Sequence, residues 1–474
     1  MIQQLPRSTP ESVGIPSGTL IRLIEELKKL DSMNSIMILR HGRVCAEGWW
    51  KPYEPGIPHI LFSLSKSFTS VAIGMAQEEG KLSIADTLIS HFPEYDGDVT
   101  DPRMRRVTLR NLLTMASGHA SCARPAMLAD PDGNWVRGFL ASRLEFEPGS
   151  HFAYNSAATY MLAAVLRKVT GENVREYLIP RLFAPLGITP GIWECCPRGT
   201  NTGGWGLYLK TEDLAKFAQL LLNGGVWEGK RLIPERYLRE ATSFQIDNSM
   251  NEAPDWKVGY GYQFWQSRHG FRGDGASGQY AIVLPEQEIA IAATAGLANM
   301  QDVLTRIWEI LLPDVADGVL PENPADHDRL LALLNSLSIP PATGDLTRRI
   351  GPVEWDFLPN EAGVTHLSIS FQEKESLLEF HSRHGLEQLR AGFGFFRCDN
   401  VLQLNDPLPR RTAASAAWIG ENILELQLCC YETSFREVFR IDFSSADQPL
   451  KDSCRFNTFR PTFLPELHAV PPSR

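Results

Sequence analysis

The first part of the chain shows two successive periodicities of apolar residues. Between Gly18 and Lys29, apolar residues recur at the three- and four-residue spacing of an amphipathic helix. The segment that follows, SIMILRHGRVCAEGWW, has the composition of two strands, with His41-Gly42 as the turn that joins them. The pattern therefore predicts a helix and then a β-hairpin at the start of the fold.

Helical periodicity dominates the region after this hairpin. The run SKSFTSVAIGMAQEEG predicts a helix that begins close to Ser63 and ends at Gly80, where a left-handed glycine cap is expected. Thr211 and Gly224-Gly225 are the expected N-cap and stop of a later helix. Further helices are predicted at VTLRNLLTMAS, SAATYMLAAVLRKVTG, TEDLAKFAQLLLNGG and MQDVLTRIWEILL.

Strand patterns return at VGYGYQFWQ, SGQYAIVLPE and EIAIAATAG. Strands packed with a helical cluster predict an α/β domain over residues 1–313. Residues 314–340 are rich in Pro, Asp and Asn around one Leu-rich helix and are interpreted as a linker. Short strand candidates then predict an all-β domain, a sandwich or a barrel, over residues 341–474. These candidates are HLSISF, SLLEFHS, VLQLN, AAWIG, NILELQLCCYE, REVFRIDF and DSCRFNTF.

Composition and charge exclude several classes of partner. Hydrophobic residues make up 43% of the chain and charged residues 22%, as in soluble globular proteins. The formal net charge of −10, without any Lys/Arg-rich run, disfavours nucleic acid and anionic lipid. We see no membrane span, secretory signal, metal motif or cofactor motif. The expectation is therefore a cytoplasmic protein that needs no cofactor.

One short motif offers a nucleophile beside a base. A serine hydroxyl reacts poorly unless a base lies within hydrogen-bond reach, and on a helix a spacing of three residues provides that reach. Ser63 and Lys66 have this spacing, in the only S-x-x-K of the chain. The start of a helix also offers free N–H groups and a positive dipole to a developing oxyanion. Ser63 is therefore the candidate nucleophile.

Two further segments could complete such a site. Tyr154 and Ser156 lie on a short turn just before a predicted helix, where a tyrosine could share a proton with Ser63 and Lys66. Packing of the Tyr154 ring against the helix is the structural alternative. The Gly-dense segment HGFRGDGASGQYAIVLPEQ predicts a strand edge that approaches a substrate closely, around Gly275, and donates a second N–H to an oxyanion. These glycines alone are equally typical of turns.

Taken together, the segments resemble the serine β-lactamase and penicillin-binding family over about residues 10–313. The relevant branch contains class C β-lactamases, D-alanyl-D-alanine carboxypeptidases, family VIII esterases and 6-aminohexanoate-dimer hydrolases. The landmarks, in order, are FSLSKSFTSVAIGMAQEEGKLSIADTL, VTLRNLLTMASGH, FEPGSHFAYNSAATYMLAAVL, GGWGLYLKTEDLAKFAQLLLNGG and the PEQE hairpin. The resemblance implies a mostly antiparallel sheet flanked by helices, with the site between the sheet edge and the helical cluster.

By the same resemblance, Ser63 is acylated, Lys66 is its base and Tyr154 shares in proton transfer. The implied oxyanion hole combines the amides of Ser63 and a residue near Ala276. Trp205 and Tyr208, in GGWGLYL, would line the substrate cleft, although packing is nearly as plausible a role for them.

Two departures from the family pattern bear on the substrate. Class C β-lactamases have Tyr-x-Asn, whereas this chain has Ser156 at the third position, a hydroxyl in place of an amide that orients substrate. They also have Lys-Thr-Gly on the third element, whereas no Lys occurs here from 258 to 373, and Asp274 with its flanking glycines occupies that slot. Asp274 would repel a carboxylate if it points inward. The alternative cations nearby are Arg268, His269 and Arg272.

These departures predict a serine hydrolase that acts on a small ester or amide rather than on a lactam. A D-amino-acid peptidase or weak β-lactamase is the alternative within the class. An inactive scaffold whose β domain binds a ligand or partner is the alternative of another class. The sequence does not decide whether the β domain caps the cleft or forms a homo-oligomer contact.

Overall fold

The computed structural model describes residues 4–30, 32–445, 448–455 and 467–470. Its helices are α1 (Ser17–Lys28), α2 (Ser65–Glu78), α3 (Leu109–Leu113), α4 (Arg124–Leu128), α5 (Trp135–Leu140), α6 (Ser156–Thr170), α7 (Val174–Leu178), α8 (Thr211–Leu222), α9 (Glu235–Ala241), α10 (Gln301–Arg306) and α11 (Pro324–Asn335). Its strands are β1 (Met33–Arg40), β2 (Arg43–Trp49), β3 (His59–Ile60), β4 (Tyr208–Leu209), β5 (Val226–Trp227), β6 (Lys230–Arg231), β7 (Trp265–Gln266), β8 (Phe271–Gly275), β9 (Gln279–Leu284), β10 (Ile289–Ala295), β11 (Val353–Asp356), β12 (His366–Phe371), β13 (Glu375–Ser382), β14 (Gly385–Phe393), β15 (Arg397–Leu402), β16 (Arg410–Trp418), β17 (Ile423–Cys430), β18 (Phe435–Asp442) and β19 (Leu450–Arg455).

The first sheet is antiparallel and has the strand order β2-β1-β10-β9-β8-β7. Every residue of its interior strand β1, between β2 and β10, is buried. Ile36 and Ile38 of β1 pack with α1, and the alternate residues Met37 and Leu39 pack with α2 and α8. Because helices cover both faces, the strand needs no polar face. The predicted helix-flanked antiparallel sheet is confirmed.

The turn between β1 and β2 agrees with the sequence. His41 and Gly42 have φ values of 50° and 73°, and two successive left-handed residues match the twist of a tight hairpin. Only the glycine adopts this conformation without steric cost. The predicted position of the hairpin is confirmed.

The segment VGYGYQFWQ is not the long strand that its aromatic residues predict, because only Trp265–Gln266 pairs in the sheet. Gln263 has a left-handed φ of 64°, and a Cβ at Gly261 would lie 2.0 Å from the Ala241 carbonyl oxygen. Such a path cannot join a flat ladder. The segment is a packed loop. The Gln263 side-chain amide donates to the carbonyls of Leu112 and Leu113, the last two residues of α3.

The predicted N-cap of α8 is wrong. Thr211 is the first helical residue, and the cap position is Lys210, which makes no side-chain cap bond. The Thr211 hydroxyl instead lies 2.7 Å from the Ser35 hydroxyl of β1. This contact ties α8 to the sheet, and tertiary packing thus overrides the local capping preference.

The C-terminal strands form one sheet in the order β11-β12-β13-β14-β16-β17-β18-β19, with β15 on β16. It is a half-barrel around its own apolar core. Residues 467–470 bridge both edges, because Ala469 pairs with Phe357 after β11 and Leu467 pairs with Leu450 of β19. The all-β expectation is confirmed in barrel-like form. The candidate DSCRFNTF coincides in part with β19, and its last four residues lie outside the described ones.

The segment between the two sheets is packed rather than extended. Helix α11 lies against α1 and β2, with Leu330 and Leu334 buried in the first domain's second core. Domain bounds at 313 and 340 stay a prediction. Among the described residues, no helix is both long and apolar enough to cross a bilayer.

Candidate active site

The chain enters α2 through a short strand and a sharp turn. Strand β3 pairs with β4, and the Leu61 amide donates to the Leu207 carbonyl at 2.8 Å. Phe62 then takes a left-handed φ of 45°, a conformation that a bulky residue adopts only where its surroundings impose it. The Ser65 hydroxyl fixes this turn by donating to the Phe62 carbonyl at 2.7 Å. Ser63 is thereby held, half-buried, at the start of α2.

Lys66 lies one turn further along α2 and reaches back to Ser63. Its Nζ is 3.0 Å from Ser63 Oγ, 3.0 Å from Ser156 Oγ and 2.7 Å from the Gly204 carbonyl oxygen. The side chain is 1% exposed. Burial lowers the pKa of Lys66 to about 7, although the charge of Asp274 acts in the opposite direction. Near pH 7 a large fraction of this amine is therefore neutral and able to accept a proton.

Tyr154 and Ser156 reach the same point from the start of α6. Asn155 between them is fully buried and caps the helix, since its Oδ1 accepts from the amides of Ala157 and Ala158. The Tyr154 ring stacks on Trp265 at 5.4 Å, and Lys66 Nζ lies 4.9 Å from its centroid. Burial raises the pKa of Tyr154, and its hydrogen bond with Ser63 acts against that rise. The phenol thus stays protonated at neutral pH.

The Gly-rich hairpin approaches the nucleophile turn closely. A Cβ at Gly275 would lie 2.1 Å from the Leu61 carbonyl oxygen, so only glycine fits at the end of β8. Ala276 follows Gly275 and lines the same cavity as Ser63. Among the described backbone hydrogen bonds, neither the Ser63 nor the Ala276 amide has a carbonyl acceptor. Both amides are therefore available to an oxyanion.

The hairpin's ionic groups are turned to each other rather than to the cavity. Arg272 is fully buried, and its Nε lies 3.0 Å from Asp274 Oδ2. Burial raises the pKa of Asp274, while Arg272 and Lys66 lower it. Arg268 is paired with the buried Asp255 at 3.0 Å. Neither Arg268 nor Arg272 is therefore a free cation that could replace the lysine missing from this hairpin.

Three predicted substrate residues lie in different places. His269 is exposed and packs on Trp308 at 5.2 Å, so the structure does not bring it to the cavity of Ser63. Trp205 lines that cavity. Tyr208 is buried, and its hydroxyl accepts a hydrogen bond from Arg410 Nη1 at 2.5 Å. Tyr208 thus supports the cavity wall through Arg410, which lines the cavity.

The cavity has a volume of about 440 Å³ and is bounded by both domains. Sequence reasoning missed every residue that the half-barrel contributes, and also two charged residues of the first domain. The half-barrel residues are Asp406, Pro407, Arg410 and Phe435, and the first-domain residues are Arg124 and Glu194. No local motif marks them, because they meet only through long-range packing, and the half-barrel residues reach the cavity through the contact between the two domains.

Comparison with known proteins identifies the family of the chain. The sequence profile of the family described as Beta-lactamase matches residues 20–312, more than half of the chain. The 6-aminohexanoate-dimer hydrolase of Paenarthrobacter ureafaciens is 25% identical over 298 residues, 58% of this chain and 74% of that one. The lovastatin esterase of Penicillium rubens is 30% identical over 169 residues, 31% of this chain and 42% of that one.

A solved structure shares the fold. A protein assigned as a 6-aminohexanoate-dimer hydrolase from Bacillus anthracis superposes with a TM-score of 0.52 at 19% identity, over 68% of this chain and 89% of that one. At this identity the likeness concerns the fold alone. The profile match over most of the first domain carries the assignment: the chain belongs to the beta-lactamase family of hydrolases.

Proposed function

We propose that the protein is a serine hydrolase that cleaves a small ester or amide through an acyl-enzyme on Ser63. The observation that carries the proposal is the 3.0 Å contact between Ser63 Oγ and the buried Nζ of Lys66. A weak nucleophile is activated by such a neighbour. The lowered pKa of Lys66, about 7, supports its role as the base.

Acylation would proceed in the following way. Neutral Lys66 accepts the Ser63 proton as Oγ attacks the substrate carbonyl. The negative charge that forms on the carbonyl oxygen is stabilised by the amides of Ser63 and Ala276, with help from the positive end of α2. The tetrahedral intermediate then collapses, and the bond from carbonyl carbon to leaving group breaks.

Tyr154 completes the proton transfers. Its hydroxyl interacts with Ser63 and its ring lies beside Lys66. It passes a proton to the leaving oxygen or nitrogen and regains one by way of Lys66. Water then attacks the Ser63 ester, with the same groups acting in reverse. Ser156, which accepts a hydrogen bond from Lys66 Nζ, would hold the amine in place between the steps.

The hairpin favours the esterase and amidase branch over the lactamase branch. Arg272 and Asp274 neutralise each other in the slot where class C β-lactamases carry a lysine. The relatives 6-aminohexanoate-dimer hydrolase and lovastatin esterase, by their names, act on an amide and an ester. We therefore assign an acyclic ester or amide as the substrate class.

A D-amino-acid peptidase or weak β-lactamase is the second candidate, and one observation favours it. Arg124 and Arg410 line the cavity from other elements, so a cation is present although the hairpin provides none. The inactive-scaffold alternative has less support, because Ser63, Lys66 and Tyr154 are all present and adjacent.

Turnover of p-nitrophenyl butyrate by the wild type, Ser63→Ala and Ser67→Ala tests the proposal. Ser67 of α2 lies one turn after Ser63, and within the described part of the chain its hydroxyl donates only to the Gln263 carbonyl, so Ser67→Ala is the matched control. Ser63→Ala should reduce kcat by at least about a thousandfold, with Ser67→Ala within a few-fold of the wild type. Equal turnover by Ser63→Ala and the wild type would end the proposal.

A further inference from the structure

The half-barrel builds one wall of the cavity that contains Ser63. Asp406 and Pro407 lie in the connection between β15 and β16, Arg410 is the first residue of β16, and Phe435 begins β18. The contact is anchored next to the nucleophile turn, because the Ile60 amide donates to the Glu432 carbonyl at 2.9 Å. A substrate on Ser63 would therefore touch both domains.

Arg410 is a buried cation with unused donors. It is 6% exposed, its Nε lies 3.3 Å from Asp406 Oδ1, and its Nη1 donates to the Tyr208 hydroxyl. Its Nη2 makes no hydrogen bond to any residue that the structure describes. On a cavity wall, a guanidinium nitrogen without a protein acceptor can donate a charge-assisted bond to a ligand.

Arg124 presents a second guanidinium at the rim of the same cavity. It begins α4 and stacks on Trp205, with its central carbon 4.8 Å from the ring centroid. Within the described part of the chain, its side chain has no carboxylate within ion-pair distance. Stacking occupies only the face of the guanidinium, so its edge remains able to bind an anion.

Two acids, Asp406 and Glu194, lie on the cavity wall with the arginines. Asp406 is engaged, since it accepts from Arg410 and from the Leu408 amide. Burial raises the pKa of the half-buried Glu194 carboxyl, and the charges of Arg410 and Arg124 act against that rise. The donors that remain open to a ligand are therefore Arg410 Nη2 and the edge of Arg124, whereas Arg410 Nε is used by Asp406.

We propose that the substrate carries a carboxylate away from the scissile bond, and that Arg410 of the half-barrel binds it together with Arg124. This inference rests on the proposed function and deepens it, because it names the substrate class of the same site. It also makes the half-barrel part of the substrate site rather than an appendage. Two guanidinium groups that reach one carboxylate would donate charge-assisted bonds to both of its oxygens.

Matched substrates test the proposal. One series is p-nitrophenyl esters of glutaric, adipic and pimelic acid with a free far carboxylate, compared with their neutral monomethyl esters. A second series places the charge on the leaving side, as acetoxybenzoates compared with their methyl esters. For the acid whose chain length gives the fastest hydrolysis, wild-type kcat/KM should be about tenfold or more higher for the ester with a free carboxylate than for its neutral methyl ester. One charge-assisted bond accounts for a ratio of this size.

Variants then assign the preference to residues. Arg124→Gln and the double variant Asp406→Asn with Arg410→Met should each lower the ratio of anionic to neutral kcat/KM toward one. The double variant removes both members of the buried pair, so no lone charge is left. Arg411→Gln is the matched control, because Arg411 is the exposed neighbour of Arg410 and pairs with Glu432. It should keep the wild-type ratio.

The outcomes separate this inference from the proposed function. No hydrolysis of any ester by the wild type contradicts the proposed function. Hydrolysis of the neutral esters without a carboxylate preference in either series overturns the inference alone. A preference that survives both Arg124→Gln and the double variant also overturns it, as does a stronger preference for a 6-aminohexanoyl ester, which would point to Glu194 and an ammonium group.

Discussion

Phe62, the residue before the candidate nucleophile, packs edge-on against Phe435 of the half-barrel, with the ring centroids 5.9 Å apart. Phe62 has the left-handed backbone that orients Ser63. A strained turn persists only where its surroundings hold it. The half-barrel therefore supports the geometry of the nucleophile as well as the wall of the cavity.

Phe435→Ala should lower both stability and activity. Removing a buried ring costs about 3 to 5 kcal/mol in general, and here it also frees Phe62. We expect kcat/KM for p-nitrophenyl butyrate to fall by about tenfold or more. Phe443→Ala is the control, because Phe443 packs on Trp418 at 5.1 Å elsewhere in the half-barrel. Activity is measured at a temperature where both variants are folded. An equal loss of kcat/KM in the two variants would contradict a role of Phe435 in holding the Phe62 turn.

The rate should depend on pH through Lys66. Burial lowers the pKa of Lys66 to about 7, and the neutral amine is the active form. A plot of log kcat/KM against pH should therefore rise with unit slope below about pH 7 and level off above it. A profile that is flat from pH 5.5 to 8.5, or that rises only near pH 10, would contradict the role of Lys66 as base.

Asp274→Asn should shift that profile toward acid. The Asp274 charge raises the pKa of Lys66, so its removal, which also leaves Arg272 unpaired, lowers that pKa further. Breaking the buried pair should also cost about 3 to 5 kcal/mol of unfolding free energy. Asp255→Asn removes another buried carboxylate, the partner of the exposed Arg268, and should lose stability without moving the profile. A shift in both variants would refute a specific effect of Asp274.

Tyr154→Phe should reduce kcat by about a hundredfold to ten-thousandfold, the range for loss of one general acid–base group. The ring's stacking on Trp265 is kept, so the melting temperature should change little. Tyr260→Phe is the matched control, because it removes the hydroxyl of the neighbouring buried tyrosine, whose ring centroid is 6.4 Å from that of Tyr154. Similar kcat values for Tyr154→Phe and the wild type, measured with an amide substrate, would exclude Tyr154 as proton donor.

The parts of the site that were predictable from sequence depend on local geometry. Ser63 lies in the 3-10 turn that leads into α2, and a spacing of three residues brings it and Lys66 to one face of this helical segment. Gly275 approaches closely because it has no side chain. The strands β1 and β2 and the position of their turn follow from the same kind of short-range pattern.

The remaining features arise from long-range packing. Arg410 reaches Tyr208 from another domain, and no motif in either segment signals the contact. The aromatic run before Trp265 looked like a strand, but Gln263 takes a left-handed conformation to bind the backbone after α3 begins. His269 lies close in sequence to the hairpin but packs on Trp308 instead of reaching the cavity. Its closeness in sequence to the hairpin therefore did not predict its position in the fold.

The most direct test of the central claim is intact-protein mass after exposure to p-nitrophenyl butyrate, a fluorophosphonate and a penicillin, with Ser63→Ala treated in parallel. We predict a single covalent adduct on the wild type alone, formed faster with the ester and the fluorophosphonate than with the penicillin. Fragmentation should locate it on Ser63. No adduct from any reagent, or the same adduct on Ser63→Ala, would contradict the assignment of Ser63 as the acylated nucleophile.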